Sequence, residues 1–189
     1  ADDGGYSVVV SDTTGSVTSR VARLEVDPAF TKITTGPLAT DLNTAESAIW
    51  ADFDNDHDPD LLVAGYKNGE PAFYRNDGGG NFTRLTDPLA LPFLKVRNTA
   101  LTPVGDFNND GFIDVVVTTW DPSDSSSLSR DAHLYWNNGD GTFSVGQLFE
   151  PCSGWYTTAM DFDQDGFLDL FLGRDSIGAP LLLRNDGRG

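Results

Sequence analysis

A chain of 189 residues with 39% apolar content is long enough for one sizeable core, and that apolar share excludes a disordered acidic tail. Twenty-nine acidic against 12 basic residues give a formal net charge of −17, which argues against nucleic acid and anionic membrane surfaces as partners and leaves room for bound cations. A single cysteine, Cys152, excludes an intrachain disulfide, and no stretch approaches the roughly 20 apolar residues of a membrane-spanning helix, so no membrane insertion is expected in this segment.

The first element in chain order is a hairpin. "DDGGYSVVVSDTTGSVTSRVARLEV" reads as two alternating strands that meet at the turn "DTTG". The spacing of Asp2, Gly4 and Tyr6 resembles the last two strands of an immunoglobulin-like domain, in which such a Tyr forms the tyrosine corner. Val8 stands where such domains carry a cysteine, which excludes the disulfide version. Residues 1–27 are therefore expected to be the C-terminal remnant of an immunoglobulin-like domain, with "DPAF" at 27–30 as the boundary. The chain opens without Met and reads as an excerpt of a longer protein.

Residues 28–189 repeat themselves. "DFDNDHDPDLLV" from Asp52, "DFNNDGFIDVVV" from Asp106 and "DFDQDGFLDLFL" from Asp161 carry one motif at intervals of 54 and 55 residues. A second motif follows each: "FYRNDGGGNF", "LYWNNGDGTF" and "LLRNDGRG". From the first Asp to the turn Asn the offsets are 24 (to Asn76), 31 (to Asn137) and 24 (to Asn185), and the polar run "DPSDSSSLSRD" takes up the middle excess as a surface loop.

Within the first unit, "SAIWADF" leads into an acidic loop and "DLLVAGY" leaves it as an apolar run. "AFYRN" alternates, a Gly-rich turn follows, and "FTRLT" alternates again. Four short antiparallel strands per unit of roughly 50 residues are the pattern of a propeller blade. The expected fold class is thus all-β, a partial β-propeller of three four-stranded blades at about 30–86, 87–147 and 148–189. Outer strands begin at Phe82 and Phe143, six residues after the turn Asn; the third such position would be 191, so the last blade is expected to be incomplete and the blades to form an open arc. "FTKIT" at 30–34 also matches an outer strand.

The acidic loops pose a physical problem. Asp52, Asp54, Asp56, Asp58 and Asp60 crowd five carboxylates into nine residues. A like-charged pair about 4 Å apart costs on the order of 4 kcal/mol at an effective dielectric near 20, so such a loop is either loose and solvated or built around a cation. Side-chain oxygens recur at positions 1, 3, 5 and 9: Asp52, Asp54, Asp56, Asp60; Asp106, Asn108, Asp110, Asp114; Asp161, Asp163, Asp165, Asp169. Position 7 adds a main-chain carbonyl, from Asp58, Phe112 and Phe167. Six or seven hard oxygens suit Ca²⁺ better than Mg²⁺, and no Cys or His cluster offers a zinc or copper site. Up to three Ca²⁺ ions are expected, one per loop. An EF-hand would need a Glu at position 12, where Val63, Val117 and Leu172 stand. In the first loop His57 replaces the Gly of position 6 and Pro59 stiffens position 8, which weakens that site without abolishing it.

The loop D-x-[DN]-x-D-G-x-x-D, its apolar strand and the "YRN-x-G-x-G-x-F" turn together resemble the FG-GAP/VCBS repeat of bacterial extracellular proteins, related to the calcium-bearing blades of integrin α-subunit propellers. The resemblance covers residues 30–189. It implies a β-propeller with Ca²⁺ in the hairpin loops between first and second strands, adhesive or scaffold roles, and a secreted or cell-surface location.

Other features read more plainly. The "NDGGGN", "NGDGT" and "NDGRG" turns lead into strands, so they are hairpin turns and not phosphate-cradling loops. Trp50, Trp120, Trp136 and Trp155, with Tyr66, Tyr74, Tyr135 and Tyr156, could supply a sugar-stacking surface but fit packing between blades more simply. His57 sits in a turn and His133 in the insertion, where it is expected to be exposed, so no nucleophile–base–acid set is visible. The expected function is a non-catalytic, calcium-binding adhesion or interaction module with an unidentified protein or glycan ligand. The alternative is a carbohydrate-binding or polysaccharide-lyase-type accessory propeller.

Overall fold

Apolar runs that follow the acidic loops become central strands, and the first two are buried on both faces, where a strand has no need of polar alternation. The computed structural model describes residues 4–24, 30–41, 45–65, 71–87, 89–95, 99–119, 131–149, 157–173 and 179–188. The chain divides into two compact units, Ala1–Thr34 and Thr35–Gly189. The expected boundary at 27–30 falls largely outside the described residues, as do Cys152, Trp120, Trp155, Tyr66 and Tyr156.

The first unit holds the hairpin, built as two short ladders in series. Strand β1 (Gly4–Tyr6) pairs with β4 (Ala22–Leu24), and β2 (Val9–Ser11) pairs with β3 (Ser16–Thr18), all antiparallel. Asp12 forms the turn, its carboxylate accepting the N–H groups of Thr14 at 2.7 Å and Gly15 at 3.0 Å. The "FTKIT" segment does not form the expected strand: 30–34 is irregular, with Phe30 93% and Ile33 70% exposed. Its pattern fits an outer strand, but it is paired with no edge among the described residues.

The second unit contains three blade sheets and is a partial β-propeller. Blade one runs β5 (Ala45–Ala51), β6 (Asp60–Gly65), β7 (Ala72–Asn76), β8 (Phe82–Leu85) in simple meander order. Blade two repeats it with β9 (Thr99–Gly105), β10 (Asp114–Thr119), β11 (Ala132–Asn137) and β12 (Phe143–Phe149). Blade three shows three strands among the described residues: β13 (Thr157–Met160), β14 (Asp169–Leu172) and β15 (Leu181–Leu183). His133 lies within β11 and stacks on Tyr135, and it is half-buried there; the insertion ends before it, which corrects the expectation of an exposed loop histidine.

Packing follows from the period-2 alternation of β10. Val115 and Val117 join Phe53, Leu62 and Phe73 of blade one, whereas Val116, on the opposite face, joins Leu170 and Leu172 of blade three. The linker between blades one and two adds Leu91 and Phe93, each 1% exposed, the latter from a 3-10 turn over Pro92–Lys95. Phe93 meets Phe143 edge-on at 5.1 Å and Tyr135 at 5.6 Å. The outer face of blade one carries Leu61, Val63, Ala72 and Tyr74, and Leu38 of the short helix α1 (Pro37–Thr40) packs on it. Asp41, just after that helix, accepts from Tyr74 Oη at 2.7 Å and from Arg84 at 3.1 Å.

A repeated hydrogen bond closes each junction between blades. Asn137, which ends β11, donates through Nδ2 to the Phe53 carbonyl of blade one at 2.7 Å, and Asn185 donates to the Phe107 carbonyl of blade two at 2.7 Å. Asn137 also donates to Ile113 O at 3.1 Å and accepts from Gly139 N–H at 3.0 Å. Because Asn137 is buried, with 2% exposure, Asn137→Ala should cost about 1–3 kcal/mol by leaving the Phe53 carbonyl unpaired. A urea denaturation showing unchanged midpoint and slope for that variant would contradict this account.

Candidate metal centre

Each acidic loop is shaped by its own first carboxylate. Asp52 accepts the N–H groups of Asp56 at 3.1 Å and His57 at 3.0 Å. Asp106 does the same for Asp110 at 3.0 Å and Gly111 at 2.8 Å, and Asp161 for Asp165 at 3.1 Å and Gly166 at 2.9 Å. The curl requires two residues per loop at positive φ. Position 4 (Asn55, Asn109, Gln164) lies at 59°, 59° and 62°, and position 6 (His57, Gly111, Gly166) at 76°, 91° and 94°. His57 therefore takes the left-handed turn conformation expected for Gly, with its ring exposed to solvent.

Position 9 closes the loop. The carboxylates of Asp60 and Asp114 are fully buried and Asp169 is 2% exposed. Asp60 accepts Phe53 N–H at 3.2 Å and Asn76 N–H at 2.8 Å; Asp114 accepts Phe107 N–H at 3.0 Å and Asn137 N–H at 2.9 Å; Asp169 accepts Phe162 N–H at 3.1 Å and Asn185 N–H at 2.8 Å. Burial pushes Asp60 and Asp114 up to about 6 despite those two bonds, with neighbouring loop aspartates adding to the rise. Asp54 is also raised, first by burial and then by Asp56.

Carboxylate oxygens of Asp52, Asp54 and Asp56 lie within 4.8 Å of one another, as do those of Asp161, Asp163 and Asp169. Asp58 and Asp60 stand outside the first group, and Asp165 outside the second. In loop two the amide of Asn108 takes position 3 and donates to Asp110 Oδ2 at 2.8 Å. Asp58, Phe112 and Phe167 were expected to offer main-chain carbonyls, which leaves their side chains for packing. The rings of Phe112 and Phe167 cover the turn glycines Gly139 and Gly187 so closely that a Cβ there would come within 2.4 Å of each ring.

Position 5 differs among the loops. Its Oδ1 always accepts the N–H two residues on, at 2.8 Å for Asp56, 2.9 Å for Asp110 and 3.0 Å for Asp165. Asp165 Oδ2 meets Arg184 Nη2 at 3.0 Å, and Arg184 Nε meets Asp163 at 2.6 Å. A guanidinium thus stands against two carboxylates of loop three; the Phe167 N–H, and after it Arg184, holds Asp165 below its ordinary range. Arg75, the counterpart in blade one, turns instead to Asp77 at 2.7 Å. The donors are hard oxygens in closely set carboxylates, one pair of which already faces a guanidinium, and this chemistry fits Ca²⁺.

Sequence reading overlooked two kinds of residue here. Phe53 and Phe107, at position 2, are 3% and 2% exposed and pin each loop into the core between blades; Phe162 is 42% exposed. The position-4 amides of Asn55 and Asn109 join neighbouring loops. Recurrence of Phe and of an amide at fixed places in all three copies was the available signal.

A family model described as FG-GAP-like repeat matches residues 58–117 and 106–172, which together span 115 of the 189 residues. None of the curated proteins matches. Among solved structures, one of a lectin from Agrocybe aegerita, described as showing specific recognition of non-reducing terminal N-acetylglucosamine, is similar at 21% identity with a TM-score of 0.44. The match covers 75% of this chain and 38% of that one.

The buried carboxylates give a signed pH dependence. A group whose pKa rises on folding from its usual value near 4 to about 6 binds more protons folded than unfolded between those limits, so it removes stability as pH rises through that window. Asp114→Asn deletes one such group. In metal-stripped protein its stability deficit relative to wild type should shrink between about pH 4.5 and about pH 6.5. A deficit that stays constant over that range, measured by denaturant unfolding, would rule the effect out.

Proposed function

The chain belongs to the FG-GAP-like repeat family, and from that premise we propose that it is a calcium-stabilised, non-catalytic interaction module of a secreted or cell-surface protein, with a protein or glycan as its ligand. The observation that carries the reading is the threefold recurrence of one loop backbone, with carboxylate oxygens drawn together in loops one and three. Asp52, Asp54 and Asp56 lie within 4.8 Å of one another with no cationic side chain bonded to Asp54 or Asp56 among the described residues, and a bound cation would offset their repulsion. Asp52, Asp54 and Asp56 would hold the ion in the first loop; Asp161, Asp163 and Asp169 would hold it in the third, with Asp165 joining them once Arg184 is displaced. Asp106, Asn108 and Asp110 would serve in the second.

The non-catalytic reading is supported by the placement of the histidines, one exposed at a turn and one stacked in a strand. The extracellular reading goes with the calcium reading, since extracellular modules bind calcium at about 10⁻⁴–10⁻³ M, a concentration met outside the cytosol. Ligand binding on such scaffolds resides in loops grafted onto the blades, and the two ligand classes are separable by glycan-array and protein-capture binding.

Calcium should raise the thermal midpoint. Each site held at 100 times its dissociation constant adds about 2.7 kcal/mol to the folded state, a shift of several degrees for a unit of this size. Scanning calorimetry that gives identical melts in millimolar calcium and in excess chelator would reject the proposal. Arg184→Gln should tighten binding at loop three, because an ion entering there must displace the guanidinium from Asp163 and Asp165. Calorimetric titration of that variant would show weaker or unchanged affinity if Arg184 only supports the ligands from behind.

A further inference from the structure

The acidic loops are bonded to one another. Asn55, between Asp54 and Asp56 of loop one, donates through Nδ2 to the Gly111 carbonyl of loop two at 3.0 Å. Asn109, in the same place in loop two, donates to the Gly166 carbonyl of loop three, also at 3.0 Å. These side chains are exposed, and they take no part in the buried contacts that hold the blades together, which fall to Phe53, Phe107, Asn137 and Asn185.

The accepting carbonyl belongs to a peptide group with a second duty. Its N–H is that of Phe112 or Phe167, which donates to the position-5 carboxylate of its own loop, Asp110 or Asp165. One peptide plane therefore carries the neighbouring loop's amide on its carbonyl side and its own loop's carboxylate on its N–H side. The amide at the far end sits between positions 3 and 5 of the preceding loop.

We propose that Asn55 and Asn109 are positioning residues that couple cation binding between adjacent loops, so that filling one loop raises the affinity of the next. The inference rests on the calcium reading above. A cation that draws in Asp110 or Asp165 fixes the peptide plane attached to it, and the fixed carbonyl holds the preceding amide and the carboxylates on either side of it. The second loop then loses less conformational freedom when it binds, and by thermodynamic linkage the effect is mutual. Repulsion between seated cations opposes this. The loops carry five, three and four aspartates, so a dication leaves each with net negative charge, and their exposure to salt screens what remains. A coupling of roughly fivefold per link is expected, the lower end for energetically linked sites.

The test is a calcium titration by calorimetry on the wild-type chain and on Asn55→Gly, Asn109→Gly and Asn109→Gln. Glycine accepts the positive φ of position 4 without strain and deletes only the amide, while Gln is the residue at that place in loop three. Wild type should bind more steeply than independent sites. Each Gly variant should flatten the isotherm, Asn109→Gln should retain its steepness, and calcium-free melts should stay alike across the set. Independent calcium binding in wild type, or equal steepness in the Gly variants, would overturn the coupling and leave the calcium reading intact. Absence of calcium binding in wild type would overturn the calcium reading and the coupling with it.

Discussion

The rest of each blade depends on a buried aspartate that opens its second strand. Asp60, Asp114 and Asp169 begin β6, β10 and β14, and each carboxylate accepts one N–H from the acidic loop before it and one from the hairpin turn after it. Burying a carboxylate is costly unless its lone pairs are met, and the two N–H groups would themselves be unpaired without it. Both bonds have consequences beyond the loop. Fixing the position-2 N–H aims Phe53 and Phe107 into the core between blades, and fixing the turn Asn places its side chain against the preceding blade's position-2 carbonyl. One side chain thus joins loop shape, hairpin shape and the seam between blades.

That arrangement explains why repetition made the fold readable. The four-strand order of blades one and two, the absent fourth strand of blade three among the described residues, and the loops themselves all follow from a motif seen three times. Residues outside the repeat were not readable in that way. Leu91 and Phe93 fill the core between blades one and two from a linker with no counterpart to compare it with, and helix α1 packs Leu38 on blade one. The segment 30–34 shows the opposite failure. It has the pattern of an outer strand and none of the pairing, because local alternation permits a strand but only a neighbouring edge makes one.

His133 was misplaced for a related reason. The polar run before it marks an insertion, but its end is set by the ladder between β10 and β11, in which Val117 faces His133 and Thr118 faces Ala132. Register is a property of two strands, and sequence shows them one at a time.

The candidate metal loops carry the same lesson into chemistry. Their backbones agree to within a few degrees at position 4, and the bonds made by positions 1 and 9 are the same in all three. What differs is the partner brought to the position-5 carboxylate: the Asn108 amide in loop two and, in loop three, Arg184 from a strand edge 19 residues further along the chain. In loop one Asp56 instead converges with Asp52 and Asp54, and Arg75 pairs with Asp77. Counting acidic residues ranks loop one first by charge and its turn residue ranks it last by strain. The geometry adds a third term, since loops two and three must each give up an internal hydrogen bond or ion pair before position 5 can turn to a cation. Three copies of one motif are therefore three different sites, and the difference lies in whether an amide, a guanidinium or neither meets the position-5 carboxylate.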